Sequence, residues 1–202
     1  RHEVLEVLVQ LDAGGQRGDL LLGLPLLRLE GCDPLVRQIQ CGDAPFVVFD
    51  DADIDAAVEG AMVSKYRNMG QTCVCANRLY AQDKIYDQFV EKLSKKVAAM
   101  KIGDGTEQGV VQGPLINMEA VDKVEKHIAD AVKGGAKIVT GGKRHALGGS
   151  FFEPTVLANV KPDALVAHEE TFGPLAPVFR FKDEAEVIAM CNNSPFGLAS
   201  YF

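Results

Sequence analysis

Tyr66-Arg67-Asn68-Met69-Gly70-Gln71-Thr72-Cys73-Val74-Cys75-Ala76-Asn77-Arg78 is the stretch on which the reading of this chain turns. Ahead of it, residues 53–65 read as a helix, with Ile54, Val58 and Met62 on one face. Behind it, residues 78–81 read as a strand. The stretch between them is a tight connection, and it carries Cys73. There the sulfur can reach a cleft and backbone N–H groups can point at it. A thiolate in such a place is a good nucleophile. Taken without its neighbours, Cys73 reads as a small buried thiol, the usual fate of a lone cysteine.

Working outward, residues 45–49 form a short apolar strand, and Asp50 and Asp51 offer helix N-caps. Residues 84–100 read as an amphipathic helix: Ile85, Phe89, Leu93 and Val97 recur every four positions, and Glu91 can pair with Lys95. The next helix begins at Gly113-Pro114-Leu115-Ile116-Asn117, carries Val121, Val124, Ile128 and Ala131, and stops at Gly134-Gly135. Residues 137–140, 151–157, 175–181 and 197–202 read as strands, 183–191 as a helix, and Gly141-Gly142 as a turn. Alternating strands and helices specify an α/β fold, a mostly parallel sheet with flanking helices. Residues up to about 42 read differently. Leucine is dense in Leu20-Leu21-Leu22-Gly23-Leu24-Pro25-Leu26-Leu27, and no period of 2 or 3.6 holds. Arg17-Gly18-Asp19 spells an adhesion tripeptide of a kind that arises often by chance.

The chain has 202 residues, of which 47% are hydrophobic, enough for a sizeable core. A net charge of −7 argues against nucleic acid or an anionic membrane as the main partner. No apolar run approaches the length of a membrane span. Five cysteines without paired spacing point to reduced thiols in a cytosol-like compartment, with an organellar matrix an open alternative. Cys73-Val74-Cys75 lacks the two-residue spacer of common zinc sites, so no metal is expected.

Asn68-Met69-Gly70-Gln71-Thr72-Cys73 resembles the active-site signature of the NAD(P)-dependent aldehyde dehydrogenases. His168-Glu169-Glu170-Thr171-Phe172-Gly173-Pro174 is similar to the same family's cofactor-contact segment. The two occur in the family's order and at a family-like separation, which is far more specific than either alone. The resemblance implies an incomplete catalytic-domain fold over residues 44–202, cut short at its C-terminus, behind an atypical head over 1–43. It implies that Cys73 attacks an aldehyde to give a thiohemiacetal and then a thioester, with the Cys73 N–H as an oxyanion donor. Glu170 would accept hydrogen bonds from the nicotinamide ribose of NAD or NADP, and Phe172 would pack near the nicotinamide. Read singly, Glu169 and Glu170 are a solvated acidic pair and Phe172 is plain core.

The run from Tyr66 to Cys75 resembles the branch of the family that oxidises succinate semialdehyde. There an arginine at the place of Arg67 forks onto the substrate's distal carboxylate. The competing reading of Arg67 is a surface arginine at a helix end. Branches acting on glutarate semialdehyde or other small aldehydes stay open. Cys75 has two readings. If both thiols face the cleft, Cys73 and Cys75 can close a strained disulfide; otherwise Cys75 simply packs. The resemblance also implies a homo-oligomeric parent enzyme.

The pattern breaks upstream. Where the family has Leu-Glu-Leu-Gly-Gly, with its general base for thioester hydrolysis, this chain has Gln38-Ile39-Gln40-Cys41-Gly42. The base position falls on Ile39, which cannot take a proton. The chain alone is therefore expected to be inactive. Two other readings remain: a catalytically dead remnant that binds intact subunits, and a cofactor-independent thiol esterase.

Overall fold

The computed structural model describes residues 42–202. The head through residue 41, with Ile39, Cys32, Cys41 and the Arg-Gly-Asp triplet, lies outside the described residues. Strand β1 (Ala44–Val48) leads through helix α1 (Ile54–Tyr66) to β2 (Ala76–Gln82). Then come α2 (Tyr86–Ala98), α3 (Met118–Lys133), β3 (Lys137–Thr140), β4 (Thr155–Ala158), β5 (Leu175–Phe181) and α4 (Glu184–Asn192). The five strands form one sheet in the order β1-β2-β5-β4-β3. All neighbours run parallel except the edge pair β3–β4.

Except for the exposed edge strand β3, the strands are buried on both faces because their side chains alternate between two cores. Phe46, Val48, Leu79, Ala81, Val156 and Val178 face one side, against Val58 of α1 and Phe89 and Leu93 of α2. Val47, Tyr80, Leu157, Leu175, Phe179 and Phe181 face the other, against Val121, Val124 and Ile128 of α3 and Val187 of α4. The four-residue recurrence read in α2 is the buried face: Ile85, Phe89, Leu93 and Val97 are all inside. Burial of such side chains stabilises by about 1.5–3 kcal/mol each. Lys95 reaches Glu91 at 2.6 Å across one turn.

Several ends differ from the sequence reading. Asp53, not Asp50 or Asp51, caps α1, because its side chain is the one that reaches the N–H groups of Asp55 and Ala56. Asp50 turns instead to Lys84, at 2.5 Å. Helix α3 starts at Met118, capped by Asn117. The strand expected over 151–157 shortens to Thr155–Ala158, with Phe152 only bridging Arg144. The strand expected over 197–202 reduces to one parallel bridge: Tyr201 meets Phe46 on the outer edge of β1.

Candidate active site

The link between α1 and β2 is a strained turn held from several sides. Asn68, Met69 and Gly70 all take left-handed backbone angles, with φ of 52°, 58° and 71°. For the two non-glycine residues this costs about 1–2 kcal/mol each. Contacts around the turn offset the cost. Met69 is buried against the α3 core. The Gln71 N–H donates to Asn68 O at 3.0 Å. The Gln71 side-chain oxygen accepts from the Ile116 N–H at 2.9 Å. The buried Gln112 amide donates to Tyr66 O at 2.8 Å. The Gly42 N–H donates to Cys73 O at 3.1 Å, and the Tyr201 hydroxyl donates to Val74 O at 2.6 Å. Cys73 thus stands exposed on a fixed loop.

The two motif segments meet at this loop. A Cβ on residue 70 would lie 2.2 Å from Gly173 O, so only glycine permits the approach. Position 42 is similar: a Cβ there would lie 2.6 Å from Cys73 O. Phe172, half-buried, takes a left-handed φ of 53° where its segment bends against the loop.

Cys75 lies two residues past Cys73 but points inward. It is buried, and its thiol donates to Lys65 O at 3.1 Å. Burial raises its proton affinity against the pull of the Lys65 ammonium. Weaker influences come from the Glu170 carboxylate, which raises it, and the Arg67 guanidinium, which lowers it. Arg67, Cys75 and Glu170 are therefore neighbours in one electrostatic environment. Arg67 itself is exposed at the C-terminal end of α1.

Beneath the loop runs a polar scaffold that the sequence reading missed. Lys65, fully buried, donates to the Asn77 side-chain oxygen at 3.1 Å, and the Asn77 amide donates to Gly42 O at 3.1 Å. Arg78, 2% exposed, donates to Asp43 O and stands 3.0 Å from the Asp43 carboxylate. Burial raises the Asp43 carboxyl above its usual value, and Arg78 opposes that rise. The available signal was position. Lys65 falls seven residues after Val58 on the buried face of α1, where a cation is out of place unless partnered. A cleft of about 510 Å³ opens beside Arg78, Tyr80 and His168, but Cys73, Cys75, Arg67, Glu170 and Phe172 do not line it. Among the described residues no group of three His, Cys, Asp or Glu could hold a metal ion, and no helix is long and apolar enough to cross a membrane.

Comparison with known proteins agrees with this fold. Residues 39–202 match the aldehyde dehydrogenase family. Glutarate-semialdehyde dehydrogenase of Pseudomonas aeruginosa is 71% identical over 161 residues, covering 80% of this chain and 33% of the relative. The NADP(+) succinate-semialdehyde dehydrogenase of Escherichia coli is 59% identical and covers 86% of this chain and 37% of the relative. That coverage exceeds what residues 44–202 make up, so it takes in part of the head. The crystal structure of succinate-semialdehyde dehydrogenase from Burkholderia pseudomallei superposes with a TM-score of 0.80 at 61% identity, over 81% of this chain and 34% of that one. The chain spans about a third of the length of the curated relatives it matches. With a family match over most of its length and relatives this similar, the chain belongs to the aldehyde dehydrogenase family.

Proposed function

We propose that this chain carries the nucleophile half of an NAD(P)-dependent oxidation of a short acid semialdehyde, with succinate semialdehyde as the preferred substrate. One observation carries the reading: Cys73 is exposed on a fixed loop that packs, through Gly70, directly on the Glu170–Pro174 segment. The Cys73 thiolate attacks the aldehyde carbon, and the Cys73 N–H stabilises the oxygen that becomes negative. The residues fit the sugar end of a nicotinamide dinucleotide. The half-buried Glu170 brings a carboxylate beside the nucleophile's loop that would accept from the ribose hydroxyls, and the half-buried Phe172 would offer a ring. A nicotinamide dinucleotide held there by Glu170 and Phe172 would supply the hydride acceptor. Water then cleaves the thioester on Cys73. Arg67, six residues before the nucleophile, takes the substrate's distal carboxylate. The names of the relatives support an acid semialdehyde, and one of them supports NADP. Glutarate semialdehyde is the competing substrate.

A second reading rests on Ile39. With no proton acceptor at that position, thioester hydrolysis loses a contribution typically worth about 10²–10⁴ in rate, so the chain by itself is a non-catalytic member of the fold. Stoichiometric NAD(P)H formation tests both. A version completed with a cofactor-binding half, a glutamate at position 39 and a C-terminal extension is expected to reduce NADP from succinate semialdehyde, and the 202-residue chain is not. Ester cleavage by the chain without nucleotide, and no NAD(P)H from the completed version, would identify a thiol esterase instead.

A further inference from the structure

Helix α3 carries a histidine that the aldehyde chemistry leaves unused. His127 is fully buried on the apolar stripe, between Val124 and Ile128. Its Nδ1 lies 3.0 Å from Thr171 Oγ1, and its Nε2 lies 3.2 Å from Glu169 Oε2. An ionised carboxylate only accepts, so Nε2 carries the proton and Nδ1 accepts from the Thr171 hydroxyl. Burial holds the ring toward its neutral form against the pull of Glu169. The bond from His127, in turn, holds the Glu169 carboxyl below its usual value.

Packing alone would be served by an apolar side chain at this point of the stripe. Burying an imidazole is costly unless its nitrogens are bonded, and both are bonded to a single short segment. The two partners flank one residue, Glu170. The ends of the segment are held by backbone: the Glu169 N–H donates to Leu165 O at 2.9 Å, and Pro174 O accepts from the Thr155 N–H at 2.8 Å. Lys126 reaches the same Glu169 oxygen at 3.9 Å, but from the exposed rim.

We propose that His127 is a positioning residue for the cofactor: by holding Glu169 and Thr171 at once, it fixes the backbone between them and with it the Glu170 carboxylate. The inference rests on the assignment of Glu170 to the nicotinamide ribose. It assigns His127 no contact with substrate or cofactor. Its effect passes entirely through the tethered segment.

The test uses the 202-residue chain, followed by amide NMR, titrated with nicotinamide mononucleotide, and compared with His127→Phe and Thr171→Val. Phenylalanine fills the volume and bonds neither partner. Valine keeps the shape of Thr171 and removes its hydroxyl. In the unaltered chain the probe should shift the Glu170 and Phe172 signals. In His127→Phe its Kd should rise about tenfold, the scale of a lost buried hydrogen bond. Exchange of the Glu169 N–H should quicken by a similar factor while exchange at Val124 and Ile128 stays the same. Thr171→Val should show smaller changes of the same kind, and it decides the matter if His127→Phe does not fold. Unchanged affinity for the probe in the folded variants overturns the proposal, whatever the exchange rates do. If the probe moves no signal at Glu170 in the unaltered chain, the ribose assignment fails and the cofactor role of His127 falls with it. Faster Glu169 exchange in His127→Phe would then still identify a purely structural clamp.

Discussion

Cys73 and Cys75 sit two residues apart in opposite surroundings. Cys73 is exposed on the turn; Cys75 is buried, with its thiol on the Lys65 carbonyl. Burial also pushes the Cys191 thiol up to about 11. Brief alkylation with iodoacetamide at neutral pH should therefore label Cys73 well ahead of Cys75 and Cys191, as read by peptide mapping. Prior labelling of either of those two thiols would contradict the assignment. Arg67 gives a second outcome at this scale. In the completed version, Arg67→Ala should raise KM for succinate semialdehyde roughly ten- to a hundredfold, the scale of a charge-assisted bond, and leave an uncharged aldehyde of similar length nearly unaffected. Equal losses on the two substrates would make Arg67 structural. Cys73, Glu170 and Phe172 could be named from their motifs. Lys65 and His127 fall on the helical period of their apolar neighbours and Asn77 on a strand, so position can flag them as buried, but their roles could not be named because their partners are distant in sequence or on another element. Asn77 holds Gly42, 35 residues upstream and just ahead of β1, and His127 a segment more than 40 residues downstream.

Elements were legible where the pattern was strong. The four-residue repeat of α2 and the stripe of α3 give the right faces, and α3 stops at Gly134-Gly135 as read, while α2 ends at Ala98, two residues short of the expected 100. Ends were less so. Three aspartates near the start of α1 look alike in sequence, and only the one whose carboxylate meets two free N–H groups caps it. The loop before β2 read as tight, yet nothing in its letters announces three left-handed residues in a row. Gly70→Ala tests that loop. The substitution combines a left-handed φ with a contact to Gly173 O, and it should cost roughly 2–4 kcal/mol, seen as a lower urea midpoint. A midpoint within error of the unaltered chain would mean the two segments do not press together. The His127 clamp gives α3 a pH dependence. Its folded proton affinity is depressed below the ordinary value of 6.5, so below that pH the unfolded chain binds a proton that the folded chain resists. Stability is fully present above pH 6.5 and falls on acidification, by at most about 1.4 kcal/mol per pH unit from this group. His127→Gln should flatten that slope between pH 6.5 and 5 in urea titrations; an unaltered slope would assign the effect to other groups.

At the scale of the whole molecule, a parallel sheet covered on both faces brings two distant sequence motifs to one place. Residues 67–75 leave α1 for β2, and residues 168–174 lead into β5, the strand beside β2. That adjacency brings together two motifs a hundred residues apart, and the role proposed for Cys73 rests on it. The chain alone should still turn over no aldehyde, because the proton acceptor expected at position 39 is Ile39. The most direct measurement is NADPH formation from succinate semialdehyde by the completed version, with and without Cys73→Ser. The expected result is steady turnover that falls by at least about a thousandfold in Cys73→Ser, with Cys75→Ser retaining most of it. Turnover that survives Cys73→Ser, or that is lost only in Cys75→Ser, would contradict the placement of the nucleophile on this loop.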